Sequence, residues 1–121
     1  MATVRVDAGN LYVELSTLDA LLAIHGSFTI PLSGIAGASV DKPPGFWETL
    51  KFIGTAWPWP LKMAGTFFYH HEQVFFDYQG DEDVLVVDLK PGASGYRHLF
   101  VHVDQPDTPN GAAHRITAAL P

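Results

Sequence analysis

Gly54–Tyr78 reads GTAWPWPLKMAGTFFYHHEQVFFDY. Two aromatic runs within it, Phe67-Phe68-Tyr69 and Val74-Phe75-Phe76, flank His70-His71-Glu72-Gln73. Runs rich in aromatic and β-branched residues, separated by a short polar segment, predict a β-hairpin buried on at least one face. The stretch opens on Trp57-Pro58-Trp59-Pro60-Leu61, which predicts a stiff apolar turn. Each proline fixes its own φ and biases the residue before it toward extended backbone.

Strand signals continue on both sides of this hairpin. Downstream, Gln79–Asp83 is an acidic turn, and Val84–Leu89 is an apolar run broken by Asp88, as in an interior strand. Tyr96–Val103 alternates Leu99, Val101 and Val103 with His98, Phe100 and His102. Thr108 as cap and Pro109 as first helical residue start a terminal helix, with Ala112, Ala113, Ile116, Ala119 and Leu120 at helical spacing. Upstream, Val4 and Val6, then Leu11, Val13 and Leu15, predict an opening hairpin around Ala8-Gly9-Asn10. Ser16 caps a short helix carrying a Leu18, Leu21, Leu22 stripe, which Gly26 closes in a left-handed conformation. Ser27–Leu32 is a strand that Pro31 restricts to an edge or bulge, and Ser33–Val40 is a weaker one. Asp41–Gly45 is a loop, and Phe46–Ile53 fits a helical turn and a strand equally well.

The bulk numbers narrow the possible functions. A chain of 121 residues with 47% hydrophobic and 17% charged residues is expected to form a single domain over residues 1–121 with a real core. A net charge of −6 with only seven Lys and Arg argues against nucleic acid and against anionic membrane surfaces, both of which are bound through cations. The absence of cysteine removes disulfides, thiolate catalysis and Cys-ligated zinc. No apolar run is long enough to span a bilayer, and the N-terminus lacks a signal-peptide pattern, so a cytoplasmic location is expected.

The residues Leu15-Ser16-Thr17-Leu18-Asp19, Gly26–Ile35, Gly54-Thr55 and Val103-Asp104-Gln105-Pro106-Asp107 resemble a group of small, uncharacterised bacterial proteins with the pleckstrin-homology-like fold. The resemblance implies a mainly β protein, α+β by element count. It would be a bent antiparallel barrel or orthogonal sandwich of about seven strands, with a short helix after strand 2 and a helix at the C-terminus. It implies architecture rather than lipid binding. Members that bind phosphoinositides use a basic loop between their first two strands, whereas here that connection, Ala8-Gly9-Asn10, has no cation.

No motif for enzyme chemistry stands out. There is no Gly-x-Ser-x-Gly elbow, no phosphate-cradling glycine loop and no HExxH. No cofactor is expected. Of the six histidines, His70 and His71 are expected side by side in a strand, pointing to opposite faces, and His98 and His102 lie about 13 Å apart along one. A metal-dependent enzyme site from His70, His98 or His102 with Glu72 or Asp88 across strands is the least favoured reading. Asp88 is expected to pair with Arg97 if register allows. The expected binding residues are Trp57, Trp59, Phe46, Trp47 and Leu61, because large rings on a stiff loop suit recognition. The function expected is therefore a non-enzymatic interaction module for an unknown protein or peptide, or for a second copy as a homodimer. The alternative is an apolar-ligand binder with a barrel interior lined by Phe67, Tyr69, Val74, Phe76 and Tyr78.

Overall fold

The computed structural model describes all residues except Met1, Ile24, residues 44–49, Trp59, Pro60 and Asp81; of residues 50–53, Trp57, Pro58 and Leu61 it describes the backbone alone. Among the described residues there are nine strands and two α-helices. β1 (Ala2–Asp7), β2 (Asn10–Leu15) and β3 (Phe28–Pro31) form an antiparallel sheet in that order, with Val4 opposite Val13 and Leu11 opposite Ile30. Helix α1 (Thr17–Ala23) lies between β2 and β3, and a single 3-10 turn at Leu32–Gly34 follows β3. The remaining strands are β4 (Ile35–Asp41), β5 (Leu50–Pro58), β6 (Leu61–Tyr69), β7 (Glu72–Gln79), β8 (Val84–Leu89) and β9 (His98–Val101). They form a second sheet in the order β4-β8-β9-β7-β6-β5. Helix α2 (Pro109–Ala119) ends the chain.

One face of the six-stranded sheet meets the small sheet and α2. Phe75, Leu85, Val87, Leu99 and Val101 pack there with Val4, Leu11, Val13, Ile30, Ala112 and Ile116 in one buried cluster. The alternate residues of the same strands, Phe67, Val74, Phe76, Tyr78, Val86 and Phe100, build a second cluster on the opposite face. Period-2 alternation alone sorts side chains between the two clusters. β8 lies between β4 and β9 and is buried on both sides, as its apolar run implies.

The predicted β-rich class, early hairpin, early helix and terminal helix are all present. The barrel is not. The two sheets follow one another through the 3-10 turn, and among the described residues their backbones are bridged at a single parallel pair, Ala2 with Val103. Among the described residues no strand pairs with the outer edge of β4 or β5, so the sheet does not close. Strands number nine rather than about seven, and β7 runs parallel to β9. The apolar-ligand lining residues therefore share a sheet face, not a barrel interior. Trp57, Pro58 and Leu61 belong to ladders rather than a turn, with Trp57 opposite Lys62 and Pro58 opposite Leu61. Pro58 is tolerated at the end of an edge strand, where no ladder donor is needed. Where this hairpin crosses at Gly54 and Gly65 the backbones come so close that a Cβ on Gly54 would overlap the Ala64 carbonyl oxygen.

The early helix is where pattern reading goes most wrong. Ser16 caps it as expected, its Oγ accepting the Asp19 N–H at 3.2 Å. Yet Leu18 and Leu21 are 62% and 73% exposed, while Asp19 and Ala23 are buried. Gly26 does not take a left-handed φ; the His25 N–H reaches the Ala20 carbonyl at 3.2 Å instead.

Candidate functional site

Asp19 explains the orientation of α1. Lys62 on β6 places its Nζ 3.4 Å from Asp19 Oδ1 and 3.6 Å from Asp77 Oδ1 on β7. All three side chains are nearly or fully shielded from water. Burial holds the Asp77 carboxyl above its usual range, with Lys62 pulling the other way. A buried ion pair must keep its partners, because removing one leaves a charge without compensation. Thr55 on β5 adds a tie by donating its hydroxyl to the Leu22 carbonyl at 2.8 Å. Fixed at both ends in this way, the helix carries Leu18 and Leu21 on its outer side.

This arrangement also bears on one residue of the expected site, Trp57. Lys62 is the ladder partner of Trp57. The ion cluster therefore brings the start of α1, where Leu18 precedes Asp19, to the Trp57–Lys62 pair of the β5–β6 ladder. Phe46, Trp47 and Trp59 lie outside the described residues, and Trp57 and Leu61 are described in backbone only.

A second polar group sits on the opposite face of the large sheet. His98 Nδ1 lies 2.6 Å from Asp88 Oδ1, and its Nε2 lies 3.1 Å from Glu72 Oε1. Asp88 is directly opposite His98 in the β8–β9 ladder, and Val74 on β7 is opposite it on the other side. Arg97, one residue out of line with Asp88, bonds Glu72 instead at 3.3 Å, which corrects the expected Asp88–Arg97 pair. A neutral imidazole has one N–H. In this arrangement each ring nitrogen of His98 has a carboxylate within hydrogen-bond distance, and which of them donates depends on the tautomer. The group borders a cleft of about 530 Å³ floored by Val86 and Phe100 and flanked by Tyr69, His70 and Lys42.

His70 and His71 are not in a strand. They form the two-residue turn between Tyr69 and Glu72, with φ of 51° and 65°. Both occupy the left-handed region that a two-residue hairpin of this twist requires and that side chains other than Asn, Asp and Gly enter at a cost. His102 is buried, and its Nδ1 accepts the Gln79 N–H at 3.1 Å. Burial pushes its pKa down. His25 stacks on Phe28 at 4.4 Å. Among the described residues no group of three His, Cys, Asp or Glu is placed to hold a metal ion.

The least favoured sequence expectation, a metal site from His70, His98 or His102 with Glu72 or Asp88, contains the three residues that meet here, His98, Glu72 and Asp88. Sequence reading missed the Asp19–Lys62–Asp77 cluster. The available signal was Lys62, a charge within an otherwise apolar strand run. Comparison with protein-family models, with curated proteins and with solved structures finds no match to this chain.

Proposed function

We propose that this protein is a non-enzymatic binding module whose partner, a protein or peptide, docks on the outer side of α1 beside the Trp-Pro tip of the β5–β6 hairpin. The observation that carries this reading is the inverted helix: two leucines one turn apart face outward while an aspartate faces inward. Asp19 is the only charged residue of α1, so the outer side of the helix carries no charge. Exposed aliphatic side chains on an uncharged helix side, with the helix pinned at both ends, favour recognition at low entropic cost. The pleckstrin-homology-like architecture and the absence of lipid binding belong to the same proposal. Arg5, near the first turn, is occupied by Glu14 at 3.3 Å and by Asp7 at 3.5 Å.

The test compares capture of native-cell protein by the wild type, by the double variant Leu18→Ser and Leu21→Ser, and by Trp57→Ala with Trp59→Ala. A partner retained by the wild type and lost by both variants at unchanged melting temperature supports the reading. A large stability loss in the leucine variant, or equal capture by all three, overturns it.

The His98 cleft favours a second reading, a small-molecule site, because its volume falls in the range of ligand pockets and polar groups ring an apolar floor. Fragment screening by NMR should then concentrate shift changes at His98, Phe100 and Tyr69. Fragments scattered over the surface would remove this alternative.

A further inference from the structure

We infer that the β4 edge is a self-association surface, where β4 of one chain pairs antiparallel with β4 of a second copy. The two-sheet architecture has four edge strands, and three of them are protected. β3 is four residues long and ends in Pro31. β1 carries Arg5 and Asp7, is bridged at Ala2 to Val103, and has its Val4 carbonyl taken by Arg115 at 3.4 Å. β5 carries Lys51 and Pro58 and is tied to α1 through Thr55. Short length, proline, charge and cover are the usual means of blocking edge pairing.

β4 has α2 packed beside it but neither proline nor a charge before its last residue. Its bulge is confined to Ile35–Gly37, and regular pairing with β8 runs from Gly37 to Asp41. Among the described residues no strand pairs with its outer edge. Its sequence, IAGASVD, has one charge, at the end. In an antiparallel pair centred on Ala38, Asp41 of each copy falls opposite Ile35 of the other, so the two charges never meet.

Charge also selects the occupant. Beside β4, a groove of about 360 Å³ is walled by Ala38 and Val40 on one side and by Ala113, Thr117 and Ala118 of α2 on the other, with no carboxylate or Lys or Arg among its lining residues. For a chain of net charge −6, most surfaces of a second copy repel. This one does not, and a basic partner would find no carboxylate in the groove to bind. A two-fold axis through a small-residue edge makes the contact self-complementary and closed. The inference shares with the proposed function only the idea of a binding module, since it uses a different surface.

Sedimentation or light scattering of the full chain tests it against two variants, Ala36→Lys with Ser39→Lys on the edge and Leu18→Ser with Leu21→Ser on α1. The expected result is a dimer for the wild type and for the leucine variant, and a monomer of unchanged melting temperature for the lysine variant. A wild type that stays monomeric up to about 1 mM, a lysine variant that stays dimeric, or a dimer lost in the leucine variant overturns it. Should the lysine variant fail to fold, amide exchange of the wild type decides. Exchange at residues 36–41 must slow as concentration rises, and concentration-independent exchange refutes the pairing.

Discussion

The two helices of this protein were read from the same kind of pattern and behave in opposite ways. α2 buries Ala112, Ala113 and Ile116, caps itself with Thr108 accepting the Gly111 N–H at 3.0 Å, and begins with Pro109. Arg115 clamps its start by bonding both oxygens of Asp107, at 2.6 and 3.0 Å. That bond holds the Asp107 carboxyl below its usual range. α1 is capped just as well yet turns its leucines outward, because Lys62, which also pairs with Asp77, offers Asp19 a buried position where its charge is compensated. For a short helix, one buried ion contact is comparable in size to two buried leucines. Each buried leucine contributes about 1.5–3 kcal/mol, while a buried charge stripped of its partner costs about 3–5 kcal/mol.

The strongest way to break this contrast is Lys62→Met. It leaves two buried carboxylates facing each other and should cost about 3–5 kcal/mol in urea unfolding, with exchange protection lost first in α1. A cost no larger than that of an ordinary surface change would mean that the cluster does not hold the helix. In α2 the matching change is Ile116→Ala, expected to cost about 2–5 kcal/mol through a cavity, with α1 protection unaffected. Smaller is Thr108→Ala, which removes the cap and should cost about 1 kcal/mol, measured as a shift in denaturation midpoint.

His102 lies between the two helix starts, lining one cleft with Asp19, Lys62 and Asp77 and another with Thr108 and Pro109. Its folded pKa is below the ordinary 6.5, so on acidification the unfolded chain takes up the proton first. Its contribution is complete above pH 6.5 and is lost as pH falls toward the depressed folded value. His102→Gln should therefore flatten the decline in melting temperature below that pH; an unchanged slope would assign the decline elsewhere. Asp77 acts in the opposite sense. Its folded pKa is raised, so its stabilising share is present below pH 3.8 and lost as pH rises through the folded value. The smallest effect expected is that of Leu18→Ser with Leu21→Ser on stability, within about 0.5 kcal/mol per site. A larger loss would make α1 an ordinary amphipathic helix after all.

The hairpin of the two aromatic runs, the interior β8, the opening hairpin and the Thr108-Pro109 helix start were all legible in the sequence. Each depends on residues close in the chain: alternation along one strand, or a cap and the N–H three residues on. Of the candidate site, the sequence showed the presence of Leu18, Leu21 and the tryptophans but not their setting, and it placed His70 and His71 in a strand where they form the turn. Only the tertiary structure decided that Asp19 would find Lys62 forty-three positions away, that Arg97 would serve Glu72 while Asp88 took His98, and that the sheet would stay open at β4. Those outcomes depend on register and layer packing, which bring together residues that no local pattern relates. Once a charge is shielded from water, its need for a partner competes on equal terms with the periodicity of the element that carries it.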